Sequence, residues 1–289
     1  MRWGDMRRSE NVEDRRGTRA VGLPVGKLAG GGIGVILIAV VAMMLGADPS
    51  ALLGGLSSDS GTVGAQTADA RPRSPAEDRA ADFVSRVLGS TEDVWRQQLP
   101  RLGRDYEEPQ LQLFTDVANS ACGNQSSAVG PFYCPGDSKV YLDLSFFDQL
   151  DRQLGAPGDF AQAYVVAHEI GHHVQNLVGT SRKVHDLERR ADEAGANELS
   201  VRLELQADFY AGVWAHYAQA AGVLDPGDLE EAIHAASRIG DDVLQKRARG
   251  YATPDSFTHG TAEQRMRWFK KGLTTGDPTA GDTFGARQL

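Results

Sequence analysis

The stretch DFAQAYVVAHEIGHHVQNL, residues 159–177, decides how the rest of the chain is read. Asp159 can cap a helix, and Gln162 stands where a capping-box partner belongs. Val166, Ile170, Val174 and Leu177 recur at helical spacing and form an apolar face. Tyr164, His168 and His172 share a different face, because residues four apart lie one turn above another. The helix therefore buries one side and presents two imidazoles on another.

Two imidazoles so placed can reach one ion at about 2.0–2.1 Å. Glu169 follows the first of them and can reach a metal-bound water without ligating. This is the division of labour of the HExxH pattern. Zinc polarises a peptide carbonyl and acidifies water, while the Glu takes the proton and passes it to the leaving amine. His173 points about 100° around the helix from His172 and is read as a hydrogen-bonding or surface residue.

A catalytic zinc needs a third protein ligand and an open position. Position 178 is Val178, so no third His stands at the metzincin spacing, and a carboxylate is expected. Glu188, Asp192, Glu193, Glu198, Glu204 and Asp208 are candidates. Glu204 is favoured, with Glu198 next. Glu204 and Asp208 are one turn apart on a helix with an apolar stripe of Leu203, Ala207, Tyr210, Trp214 and Tyr217. Asp208 could then accept the outer ring N–H of a ligand His. Glu188 and Glu193 lie in a charged stretch and read as a solvated face. His185, His216 and His234 have no partner pattern. His259 lies on a loop before a helix beginning near Thr261. It could cap that helix or face a cleft and stabilise an oxyanion. Arg265 could do the same or hold an acidic residue.

Outward from this core the chain divides. Hydrophobic residues make up 41% and charged residues 24%, which suits a globular domain. The net charge of −9 comes without a basic stripe and argues against nucleic-acid binding. Arg2, Arg7, Arg8, Arg15, Arg16, Arg19 and Lys27 precede Leu28–Gly46, a run without any charge. As a helix that run rises roughly 28 Å, about the thickness of a bilayer core. The positive-inside rule then predicts a cytoplasmic tail over 1–27, a single transmembrane helix over 28–47 and an exported remainder. A cleaved signal peptide and a buried core helix are the other readings. Residues 48–76 read as a linker, and 77–289 as the domain. Cys122 and Cys134 suit a disulfide outside the cytoplasm. From Ala76 the pattern is helical. Ser90 and Asp93 resemble a capping box for a second helix. Residues 110–116 look extended, and the segment 131–134 leads to 140–144, whose alternation suggests a strand. Beyond residue 158 the chain is mainly helical, with breaks near Gly179, Gly222–Gly227 and Gly250–Pro254.

The segments Asn11–Gly17, Gly130–Pro135, Val140–Leu144, His168–Gln175, Glu204–Asp208 and Phe257–Gly260 together resemble the bacterial family of neutral zinc metallopeptidases. The resemblance spans nearly the whole chain except the linker, which is longer here. It implies a membrane-anchored, zincin-like endopeptidase of the gluzincin kind. In it His168, His172 and Glu204 would ligate Zn2+, Glu169 would be the base, and His259 would be a cleft residue.

The expected fold is α+β and mainly helical, with a small β segment before the zinc helix and a single transmembrane helix ahead of the domain. The expected partners are a peptide or protein substrate and the membrane, with the catalytic domain periplasmic or extracellular. Two rival readings are a non-proteolytic zinc scaffold at the membrane and a zinc amidase acting on the cell wall. The oligomeric state is not legible.

Overall fold

The computed structural model describes residues 1–17 and 73–289. The expected span at 28–47 and most of the expected linker lie outside these residues. Among the described residues no helix is long and apolar enough to cross a membrane.

The domain is α+β and mainly helical. A short strand β1 (Val12–Asp14) is followed by helix α1 (Pro75–Gln98). Ser74 and Glu77 close a capping box at its start. The break expected at Ser90 is absent, and one helix runs through to Gln98. Ser90 instead accepts a hydrogen bond from the Trp214 indole at 3.1 Å, so a tertiary contact takes the hydroxyl that the local pattern assigned to a cap.

Strands β2 (Gln110–Phe114), β3 (Val117–Ser120), β4 (Gly123–Ser126), β5 (Phe132–Cys134) and β6 (Lys139–Asp143) come next. The main sheet has the order β1-β2-β6-β5. β1 and β6 flank β2 in parallel, and β5 pairs antiparallel with β6. β3 and β4 form a separate hairpin. The expected disulfide joins Cys122 to Cys134 and ties the turn of that hairpin to the edge strand β5.

The rest is helical: α2 (Ser145–Arg152), α3 (Asp159–Leu177), α4 (Thr180–Glu188), α5 (Glu193–Ala220), α6 (Asp228–Arg238), α7 (Asp241–Arg249) and α8 (Ala262–Thr275). The chain turns at Gly179, Gly222 and Gly250 as expected, and also near Asp192 and Gly240. Helix α3 is the centre of the domain. It packs against α1, α5 and α6. Its burial is nearly all-round rather than one-sided, and Tyr164 and Ala167 are as buried as Val166 and Ile170. Trp95, Trp214, Phe160, Phe209 and Phe269 fill the space around it.

The start of α3 differs from expectation. The N-cap is Gly158, in a conformation with φ 115° that only glycine adopts readily, and no side chain caps the helix from that position. The Phe160 amide donates to Glu231 at 3.1 Å, so a carboxylate from α6 supplies the cap across space. Asp159 instead accepts from the α-amino group of Met1 at 2.9 Å.

Residues 1–17, the described part of the expected tail, lie against the domain. Strand β1 is an edge of the main sheet, and Met6 is only 8% exposed within the core.

Candidate metal centre

Three donors converge where α3 crosses α5. His168 Nε2 lies 3.2 Å from Glu204 Oε2, and His172 Nε2 lies 3.4 Å from Glu204 Oε1. One ligand atom from each of the three residues lies within 4.8 Å of the others. The crossing brings the helix backbones together. A Cβ on Gly171 would stand 2.8 Å from the Ala207 carbonyl oxygen. Any other residue between the two histidines would push α5, and Glu204 with it, away from them.

The donor set fits a zinc ion. Ligands of a tetrahedral ion at about 2.1 Å sit about 3.4 Å apart, the size of the observed separations. The surroundings of His168 point the same way. Nδ1 faces Asp208 at 2.8 Å while Nε2 faces Glu204. Burial opposes a charge on this ring, but Asp208 and Glu204 outweigh it and push its pKa up to about 10. An imidazole between two carboxylates holds either a second proton or a metal ion at Nε2.

The outer nitrogens are fixed by partners. Asp208 is wholly buried, and its Oδ1 accepts from His168 Nδ1–H and, at 2.5 Å, from the Tyr164 hydroxyl. Arg265 donates to both oxygens of Asp208, at 2.8 and 3.0 Å. Of the two roles considered for Arg265, the structure shows the holding one. Burial works against the Asp208 carboxylate, yet Arg265 and His168 lower its pKa to about 2.

His172 has a different arrangement. Gln175 Nε2 donates to the Leu203 carbonyl at 2.6 Å, which turns Oε1 towards His172 Nδ1 at 2.9 Å. His172 Nδ1 is therefore the donor, and Nε2 is left for the metal. The sequence reading did not single out Gln175. Its spacing of three from His172 was the available signal. Replacing Gln175 by Met should keep the volume and lower zinc affinity by roughly 10–100-fold, the usual effect of removing such a partner. Competition with a chromophoric chelator reads this directly. Unchanged affinity would show that Gln175 does not orient His172.

Glu169 is 8% exposed and stands outside the ligand group. Burial raises its pKa, partly offset by His172 and His168. Burial opposes the charge on Glu204, but His172 and His259 hold it well below the usual carboxylate range.

His259 lies near enough to Glu204 for each charge to act on the other. Burial disfavours its protonated form, yet Glu204 and then Asp241 raise its pKa. The loop that carries it is gripped by Asp241, whose Oδ2 accepts from the amides of Thr258, His259 and Gly260 at 2.7, 2.6 and 3.1 Å. Asp241 Oδ1 stands 3.3 Å from His259 Nδ1. Sequence reasoning missed Asp241, which comes from another helix.

The other candidates lie elsewhere. Glu198 pairs with Arg202, Asp192 caps α5 and Glu188 meets His185. His173 bridges the Tyr133 hydroxyl and the Glu107 carbonyl, which fixes α3 to β5. His216 and His234 contact the carbonyls of Leu273 and Gly155. A second group of acids, Asp159, Asp228 and Glu231, lies near the N-terminus, and the Met1 ammonium pairs with Asp159, Asp228 and Asp225.

Comparison with known sequences agrees with this geometry. The chain belongs to the family described as "Putative neutral zinc metallopeptidase", whose model matches residues 1–284. The family expected from the sequence is thus the one found. The chain is 49% identical over 293 residues to an uncharacterized protein, YpfJ, of Escherichia coli strain K12, covering 99% of both chains. It is 41% identical over 262 residues to an uncharacterized protein, Rv2575, of Mycobacterium tuberculosis strain H37Rv, covering 86% of both. No solved structure matches it.

Proposed function

We propose that this chain is a zinc-dependent endopeptidase with a zincin-like active site. The observation that carries the reading is the three-donor group of His168, His172 and Glu204 with Glu169 beside it and outside it. Among the described residues no fourth His, Cys, Asp or Glu joins the three, which suits a catalytic site with an open position better than a closed structural one.

Zinc held by these residues supplies a Lewis acid for the scissile carbonyl and lowers the pKa of water. Glu169 takes the proton from the attacking water and delivers it to the leaving amine. His259, held through Nδ1 by Asp241 and the Thr258 hydroxyl, would offer Nε2–H to the oxyanion that develops on the carbonyl. Asp208 and Gln175 keep the two ligand imidazoles in the tautomer with Nε2 free.

The test uses the purified full chain and an unstructured protein substrate. Chelation should abolish cleavage, stoichiometric zinc should restore it, and mass spectrometry should find internal cuts. Tight zinc binding without any cleavage would overturn the reading in favour of a non-proteolytic zinc scaffold.

A further inference from the structure

The N-terminal residues are built into the zinc domain. Leu111 N–H donates to the Asn11 carbonyl at 2.8 Å, and Arg15 N–H to the Leu113 carbonyl at 2.9 Å, extending the pairing of β1 with β2. The segment then crosses α1 over Gly89. A Cβ there would lie 2.5 Å from the Arg7 carbonyl oxygen, so the helix carries glycine where the segment passes.

Glu92, three residues on, has a side chain with no exposure. Its carboxylate accepts from Arg7 Nη2 at 2.7 Å, Ser9 Oγ at 2.5 Å and Asn11 Nδ2 at 2.9 Å. All three donors come from residues 7–11. Trp3 packs edge-on against Phe83 of α1 at 5.5 Å. Arg16, 8% exposed, reaches Asp14 and Asp78 at 2.7 and 3.3 Å.

The charges tell the same story. A basic stretch ahead of an apolar run reads as a cytoplasmic flank. In the fold Arg7 pairs with Glu92 and Asp93, Arg8 with Asp82, Arg15 with Glu13 and Arg16 with Asp14 and Asp78. Four of the six carboxylates in these pairs lie on α1, so much of the basic charge in residues 7–16 serves the contact with that helix.

We propose that residues 1–17 and 73–289 form one folded unit in a single compartment. The chain between them then begins and ends on the same side of any bilayer. One crossing between residues 17 and 73 would put β1 and β2 on opposite sides, and neighbouring strands cannot pair through a membrane. The single-pass arrangement with a cytoplasmic tail and an exported domain is therefore replaced by a same-side arrangement. Whichever side holds the Cys122–Cys134 disulfide holds the N-terminal segment too.

The test places one cysteine at a time at Glu10 and at Lys246, both exposed and outside the site. The full chain is expressed in bacterial spheroplasts and treated with a membrane-impermeant maleimide before and after permeabilisation. The wild-type chain reports the background from its own two cysteines. The two positions should react alike, both before permeabilisation or both only after it. Reaction of one before and the other only after would overturn the proposal. Neither outcome depends on peptidase activity.

Discussion

Replacing Glu169 by Gln should leave zinc bound at the wild-type stoichiometry and slow peptide hydrolysis by roughly 10²–10⁴-fold, the range that a positioned general base contributes. Gln has nearly the same shape, so a side chain that is only 8% exposed can stay packed as before. The ligand group excludes Glu169, so its loss removes no donor from the metal. What disappears is the group that accepts a proton at neutral pH. Replacing His172 by Ala should behave differently and lose metal and activity together. The contrast separates a base from a ligand. Hydrolysis by the Gln variant near the wild-type rate would sink the mechanism.

The largest stability effect should come from Arg265. Replacing it by Met should cost about 3–5 kcal/mol, the usual result of removing one partner from a buried ion pair. Asp208 has no exposure, and Arg265 supplies donors to both of its oxygens. Without them a buried carboxylate keeps only Tyr164 and His168. The pH dependence follows from the direction of the Asp208 shift. Arg265 and His168 hold its pKa at about 2 in the folded protein, below the ordinary aspartate value. The pair therefore stabilises the fold fully above the unfolded value and loses that contribution as pH falls towards 2. Chemical denaturation at neutral pH, with zinc stripped from both proteins, measures the difference without interference from metal binding. A change below about 1 kcal/mol would show that Asp208 is held by other means.

The parts of the site that lie on one helix were legible in the sequence. His168, Glu169 and His172 are set by helical periodicity, and Glu204 with Asp208 by the same rule on a second helix. What the periodicity could not show is which residues meet across space. Glu231 caps α3 from α6, and Asp241 grips the His259 loop from α7. Neither has a local signature. The Ser90 hydroxyl was assigned to a cap by its neighbours and belongs to Trp214. The partners of the N-terminal arginines lay beyond local patterning for a related reason. A local run of cations looks the same whether it faces lipid or the carboxylates of Glu92 and Asp82, and only the tertiary fold separates the two.

The contact between Gly171 and the Ala207 backbone bears on which ions the site admits. Gly171 stands between His168 and His172, and Ala207 between Glu204 and Asp208, so the ligands straddle the closest approach of their helices. Two backbones in contact cannot be squeezed further, and each is held from behind by packed aromatic side chains. The points from which the three donor side chains start are therefore set by the main chain. Calcium takes six to eight oxygen ligands at about 2.3–2.6 Å, whereas this crossing offers two imidazoles and one carboxylate. A single methyl group at position 171 would therefore part the donors without altering any of them.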